Sequence, residues 1–142
     1  MTNETGSSVT TDRMLAISAL LGVTAVALGA FGAHGLRSAI VDAIVDPIDA
    51  GDRVRWWEAA ASYHLAHALA SGLAAWAHDR RASRAAIASA MLFVVGTLVF
   101  AGSLYAMALG APRWFGAITP IGGLSLMAGW IALAIAALRR PG

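Results

Sequence analysis

Four long stretches of this chain are almost free of charge, and nothing else in the sequence limits its fold as strongly. Residues 14–36, 85–110 and 117–138 contain no Asp, Glu, Lys or Arg, and 56–77 contains only Glu58, near its start. A helix needs about 20 apolar residues to cross a hydrocarbon core of about 30 Å, so all four runs are long enough. They are continuous rather than alternating, which argues against the lipid-out, lumen-in pattern of a membrane barrel. The expected fold is all-α, an integral membrane four-helix bundle. Residues 1–13 read as a flexible polar tail, 14–138 as one transmembrane domain with spans 14–36, 56–77, 85–110 and 117–138, and 139–142 as a C-terminal tail.

Composition excludes several alternatives. The chain is 58% apolar and 13% charged, against about 45–50% and about 25% in soluble domains. A disordered chain is excluded and a water-soluble enzyme domain disfavoured. There is no cysteine, hence no disulfide framework or catalytic thiol, and all ten basic residues are arginine. No basic cluster suited to nucleic acid is present. A cleaved signal peptide competes for the first run, since GAFGA offers small residues. Its leader, however, sets Glu4 and Asp12 against Arg13 alone, and the apolar run is too long for an h-region.

Arginine placement sets the expected orientation. With four spans, Arg13, Arg80, Arg81, Arg84, Arg139 and Arg140 share one side, and Arg37, Arg53, Arg55 and Arg113 share the other. The bias places both termini in the cytoplasm. Between the first two runs, Ile40, Val41, Ile44, Val45 and Ile48 recur at helical spacing, opposite Asp42, Asp46 and Asp49. This predicts a short amphipathic interfacial segment, with the carboxylates as its solvated face and Pro47 ending or kinking it.

Small residues mark the helix-packing faces. Ala25, Gly29 and Ala33 are spaced by four, as are Gly102, Ala106 and Gly110, while Gly22 and Gly32 add to the first helix. In the last run Gly122, Ser125, Gly129 and Ala132 form a stripe, and Thr119-Pro120 reads as a capped helix start. Ala117 and Ile118 then belong to the approach. Trp56, Trp57 and Trp76 read as an aromatic belt, Tyr105 as another interface anchor and His78 as loop surface.

The side chains able to carry chemistry are few. His34, Glu58, Tyr63, His64 and His67 form the candidate functional polar cluster, supplemented by hydroxyls at Ser62, Ser71, Thr97 and Ser103. Ionisable groups within a bilayer are costly and usually face the bundle interior. Three readings of the histidines stand: polar glue between helices, a haem or metal site at His64 and His67 completed by His34, or a proton or solute relay with Glu58. Glu58 itself reads either as a headgroup-layer acid paired with Arg55 or Arg53, or as a relay acid. No nucleophile elbow, phosphate loop or dinucleotide fingerprint occurs. No catalytic residue and no bound metal are assigned.

Four strings, GAFGAHGL at 29–36, YHLAHALA at 63–70, FAGSLYAMALG at 100–110 and ITPIGG at 118–123, occur in order over most of the chain. In these the sequence resembles the YgdD-like small membrane proteins, domain-of-unknown-function family 423, which includes a eukaryotic transmembrane relative. The resemblance implies a small multi-span inner-membrane protein and assigns no catalytic residue. It marks His34, Tyr63, His64, His67, Gly102, Ser103, Tyr105, Thr119, Pro120 and Gly122 as the places to seek function. The acidic stretch 42–52 is long for that family. The expectation is a structural or accessory membrane component rather than an enzyme, partnered by the lipid bilayer and by a second copy or another membrane protein. The alternative is a small transporter or channel, or a haem- or metal-binding membrane protein using its intramembrane histidines.

Overall fold

The computed structural model describes residues 3–36, 38–39 and 47–139. Among the described residues four α-helices carry the fold: α1 (Asn3–Phe31), α2 (Pro47–Arg81), α3 (Arg84–Ala108) and α4 (Thr119–Leu138). A π-helical turn, Gly32–Leu36, closes α1, and a 3-10 turn, Arg113–Ala117, leads into α4. There is no strand among the described residues.

The polar N-terminal segment is helical from Asn3, not a loose tail. Once an apolar helix is nucleated, each added residue gains a hydrogen bond at little cost, so the span extends into its polar flank. Thr11, in that flank, is buried. Pro47 is the first residue of α2, a position where its missing N–H is not needed. Ile40, Val41, Asp42, Ile44, Val45 and Asp46, the bulk of the expected amphipathic segment, lie outside the described residues.

Among the described residues three segments are long and apolar enough to cross a membrane: Ser8–Leu36, Arg84–Ala108 and Arg113–Leu138. The fourth helix, α2, runs about 52 Å at 1.5 Å per residue. Its alanines are interrupted by Ser62, Tyr63, His64, His67 and Ser71, which lowers its apolar character. That composition suits its position, because α2 lies between α1 and α3, and His64, His67 and Ser71 are buried there.

Helices consecutive in the chain make the main contacts, α1 with α2, α2 with α3 and α3 with α4, and a small contact joins α2 to α4. Consequently α1 has α2 as its one substantial helical neighbour among the described residues. Lipid tails are as apolar as leucine, so close backbone approach and interhelical hydrogen bonds must hold such helices together. The core accordingly relies on alanine: Ala70, Ala74 and Ala90 surround Phe93 and Leu126, while Ala60 and Ala101 meet Leu104 and Met107. Large side chains such as Leu20, Val23, Leu69, Leu98, Ile121 and Ile131 point outward.

A two-residue link, Ala82-Ser83, turns α2 into α3. Ala82 takes the left-handed conformation (φ +47°), and the Ser83 hydroxyl caps α3 by accepting from the Ala86 N–H. His78 belongs to the last turns of α2 rather than to surface loop, its Nδ1 donating to the Ser83 carbonyl at 3.0 Å. Beyond the hydrocarbon length, α2 carries a charged extension where Asp49 bonds Arg53 at 3.2 Å and Arg113 at 3.4 Å, and Asp52 pairs with Arg55. The Asp49–Arg113 pair ties this extension to the α3–α4 connection.

Candidate functional site

The five polar candidates do not converge on one point. His34 lies exposed in the π-helical turn, where its carbonyl accepts from Ser38. Glu58 is exposed at the rim of a small cavity of about 210 Å³, lined also by Gly29, Gly32, Trp57 and Ser62. Arg53 and Arg55 pair with Asp49 and Asp52, not with Glu58. Tyr63 and His67 stack nearly parallel, ring centroids 5.8 Å apart, on the side of α2 that faces α4. His64 instead contacts Thr24 of α1. Two histidines three residues apart thus serve different interfaces.

His67 is fully engaged. Its Nδ1 lies 2.8 Å from the Tyr63 carbonyl, which can only accept, so Nδ1 carries the proton. Nε2 is then a lone pair, and it accepts from the Trp130 indole N–H of α4 at 3.2 Å. Phe93 and Trp130 rings, 5.0 Å apart in edge-to-face contact, close around the imidazole. Beside it runs an open apolar groove of about 570 Å³ between α2 and α4, floored by Phe100.

His64 is buried with one nitrogen engaged. The Thr24 hydroxyl donates to the Leu21 and Leu20 carbonyls at 2.9 and 3.0 Å, so His64 Nε2 donates to the Thr24 oxygen at 3.4 Å. Nδ1 is left without a partner. No three His, Asp or Glu side chains among the described residues are grouped to hold a metal ion.

Several expected interface anchors face inward. Trp57 is buried and its indole N–H donates to the Leu28 carbonyl of α1 at 2.9 Å. Tyr105 packs edge-on against Trp57 with its hydroxyl shielded from solvent. Trp57 fills space left by a small residue, since a Cβ on Gly32 would collide with its indole, and Tyr105 packs against that indole in turn. Trp76 alone keeps the outward position expected of a belt residue, half exposed under Arg80, whose guanidinium lies 5.2 Å from the ring.

The glycines and hydroxyls divide similarly. A Cβ at Gly122 would strike the Phe100 backbone, and at Gly129 it would come within 2.7 Å of the Phe93 ring. Gly29 and Gly102, by contrast, face open space. Thr119 is the first helical residue of α4 and makes no cap; its hydroxyl bonds Ser103 of α3 at 2.7 Å, while Pro120 lines the groove. Further cross-links join Ser18 to Ser71 at 2.8 Å, Ser89 to the Gly129 carbonyl at 2.8 Å and Ser125 to the Leu92 carbonyl at 3.0 Å.

A family model described as "Protein of unknown function (DUF423)" matches residues 28–123, from the end of α1 to the first turns of α4. The chain belongs to the DUF423 family. All four sequence strings fall inside the matched region. Among similar proteins, the UPF0382 membrane protein YwdK of Bacillus subtilis is 36% identical over 125 residues, covering 87% of this chain and 92% of the relative. The UPF0382 inner membrane protein YgdD of Escherichia coli is 36% identical over 126 residues, covering 89% of each. A UPF0382 membrane protein of Staphylococcus epidermidis shares 36% identity over 89% of this chain and 95% of its own length. No solved structure matches. With its apolar helices, this DUF423 member is a multi-pass inner-membrane protein.

Sequence reasoning passed over Thr24, Ser89, Phe93, Gly96, Phe100, Leu126 and Trp130, all of which build these contacts. A signal existed. Ser89, Phe93, Gly96, Phe100, Ser103 and Met107 follow alternating steps of four and three on α3, as do Gly122, Leu126, Gly129, Leu133 and Ala136 on α4. This is the spacing of a helix–helix seam. On α3 the stripe of small residues at 102, 106 and 110 drew attention to the wrong face.

Proposed function

We propose that this protein is a non-catalytic structural or accessory component of the inner membrane, acting through contacts with lipid and with a second copy or another membrane protein. One observation carries the reading: His67 spends both ring nitrogens on the protein's own Tyr63 carbonyl and Trp130 indole. A metal or haem ligand needs a free imidazole lone pair, which His67 lacks and His64 offers at Nδ1 alone, and a proton relay needs a nitrogen that can change partner. The polar side chains Ser71, Ser89, Ser103 and Ser125 are likewise used between helices. Such interhelical bonds average about 0.6 kcal/mol each, so together they hold a bundle.

The test is purification in mild detergent, an ultraviolet–visible spectrum, and reconstitution into vesicles loaded with pH- and ion-sensitive dyes. The expected result is tryptophan and tyrosine absorption alone, with fluxes equal to empty vesicles. A Soret band, or a flux abolished in His64→Gln, would replace this reading with a haem-binding or transporter role.

Both termini are assigned to the cytoplasm on the arginine bias, six against four. In intact cells, an impermeant thiol reagent added outside is expected to label Gly51→Cys and to spare Ala82→Cys. The reverse pattern inverts the topology.

A further inference from the structure

Among the described residues four buried side-chain polar atoms lack a partner, Thr11 Oγ1, Thr97 Oγ1, His64 Nδ1 and Tyr105 Oη, and the last two are complementary. His64 Nδ1 is an acceptor without a donor, since Nε2 holds the ring proton and gives it to Thr24. Tyr105 Oη is a donor without an acceptor. The rings are neighbours, with centroids 6.1 Å apart in edge contact. The Trp57 indole N–H, whose ring lies 4.6 Å from the Tyr105 ring by centroid, is already spent on the Leu28 carbonyl. An uncompensated polar group inside a bilayer is strongly disfavoured, and here each of the two supplies what the other lacks.

We propose that Tyr105 Oη donates to His64 Nδ1, directly or through one bridging water, and so completes a polar chain across three helices. All donors then point the same way: Tyr105 O–H to His64 Nδ1, His64 Nε2–H to Thr24 Oγ1, and Thr24 O–H to the Leu21 carbonyl. The chain links α3 to α1 through α2, although α1 and α3 share no substantial contact. It also gives the two histidines opposite tautomers, Nε2–H at His64 and Nδ1–H at His67. This inference goes beyond the functional reading above and survives its failure, because it concerns which atoms carry protons and not what the protein transports or binds.

The test is nitrogen-15 NMR of the full chain in lipid nanodiscs, with histidine labelled. The proton is expected on His64 Nε2, with Nδ1 in the unprotonated range. In Tyr105→Phe the His64 Nδ1 signal is expected to move downfield, as an acceptor losing its donor, while both His67 signals stay in place and report an intact fold. A proton on His64 Nδ1, or an Nδ1 signal indifferent to Tyr105→Phe, overturns the proposal. Should the variant fail to fold, the unmodified chain decides: magnetisation transfer from the Tyr105 hydroxyl proton to His64 Nδ1 supports a direct bond, and transfer relayed by a water resonance supports the bridged one. The absence of both transfers refutes the link.

Discussion

A methyl group at Gly122 has no place to go, because the backbone of Phe100 on α3 already fills that space and backbone cannot step aside. Gly122→Ala is therefore expected to destabilise the protein by about 1–3 kcal/mol, the usual cost of overpacking. Gly102→Ala is the control, since its Cβ would meet nothing, and alanine favours helix over glycine by up to about 1 kcal/mol. Reversible unfolding of both variants in detergent checks the pair: the first is expected to lose stability and the second to keep or gain it. At the Ser103–Thr119 bond the same logic is milder. Ser103→Ala is expected to cost about 0.6 kcal/mol, because Thr119 near the helix start retains other partners in the unfolded-in-membrane state.

Among the elements, the α2–α3 turn stores the clearest local strain. Ala82 follows the last residue of α2 in the left-handed region, φ +47°, with its N–H bonded to the His78 carbonyl at 2.7 Å. Glycine is the residue that most readily occupies that position at a helix end. Ala82→Gly is expected to stabilise the protein by about 1 kcal/mol, read as a raised thermal midpoint. At the other end of α2, Asp49 bonds Arg53 and Arg113 on a charged, partly exposed extension. These are surface pairs worth about 0–1 kcal/mol. Asp49→Asn should therefore lower stability slightly at low salt, and the difference should vanish as salt screens the pairs.

At the scale of the molecule, the row-like packing predicts uneven stability. Since, among the described residues, α1 leans substantially on α2 alone while α3 is held on two sides, hydrogen exchange in nanodiscs is expected to be faster in α1 than in the α3 segment 89–104; equal protection would contradict the packing order. The sequence by itself determined that the chain is all-α and membrane-embedded, because charge-free runs of this length have few other stable states in a bilayer. It also pointed to membership of the family, through four strings that occur in order along the chain. What only the tertiary structure decided is which face of each helix is turned inward. Gly29 and Gly102 look as suited to close packing as Gly32 and Gly122, since composition does not record what lies opposite. His64 and His67 differ in role because a three-residue step on α2 rotates the side chain from the α1 interface to the α4 interface. Trp57 and Tyr105 have the amphipathic character of headgroup anchors, yet Trp57 fills the space that Gly32 leaves and Tyr105 packs against it. In each case the residue type set the repertoire of bonds, and the neighbouring helix selected one.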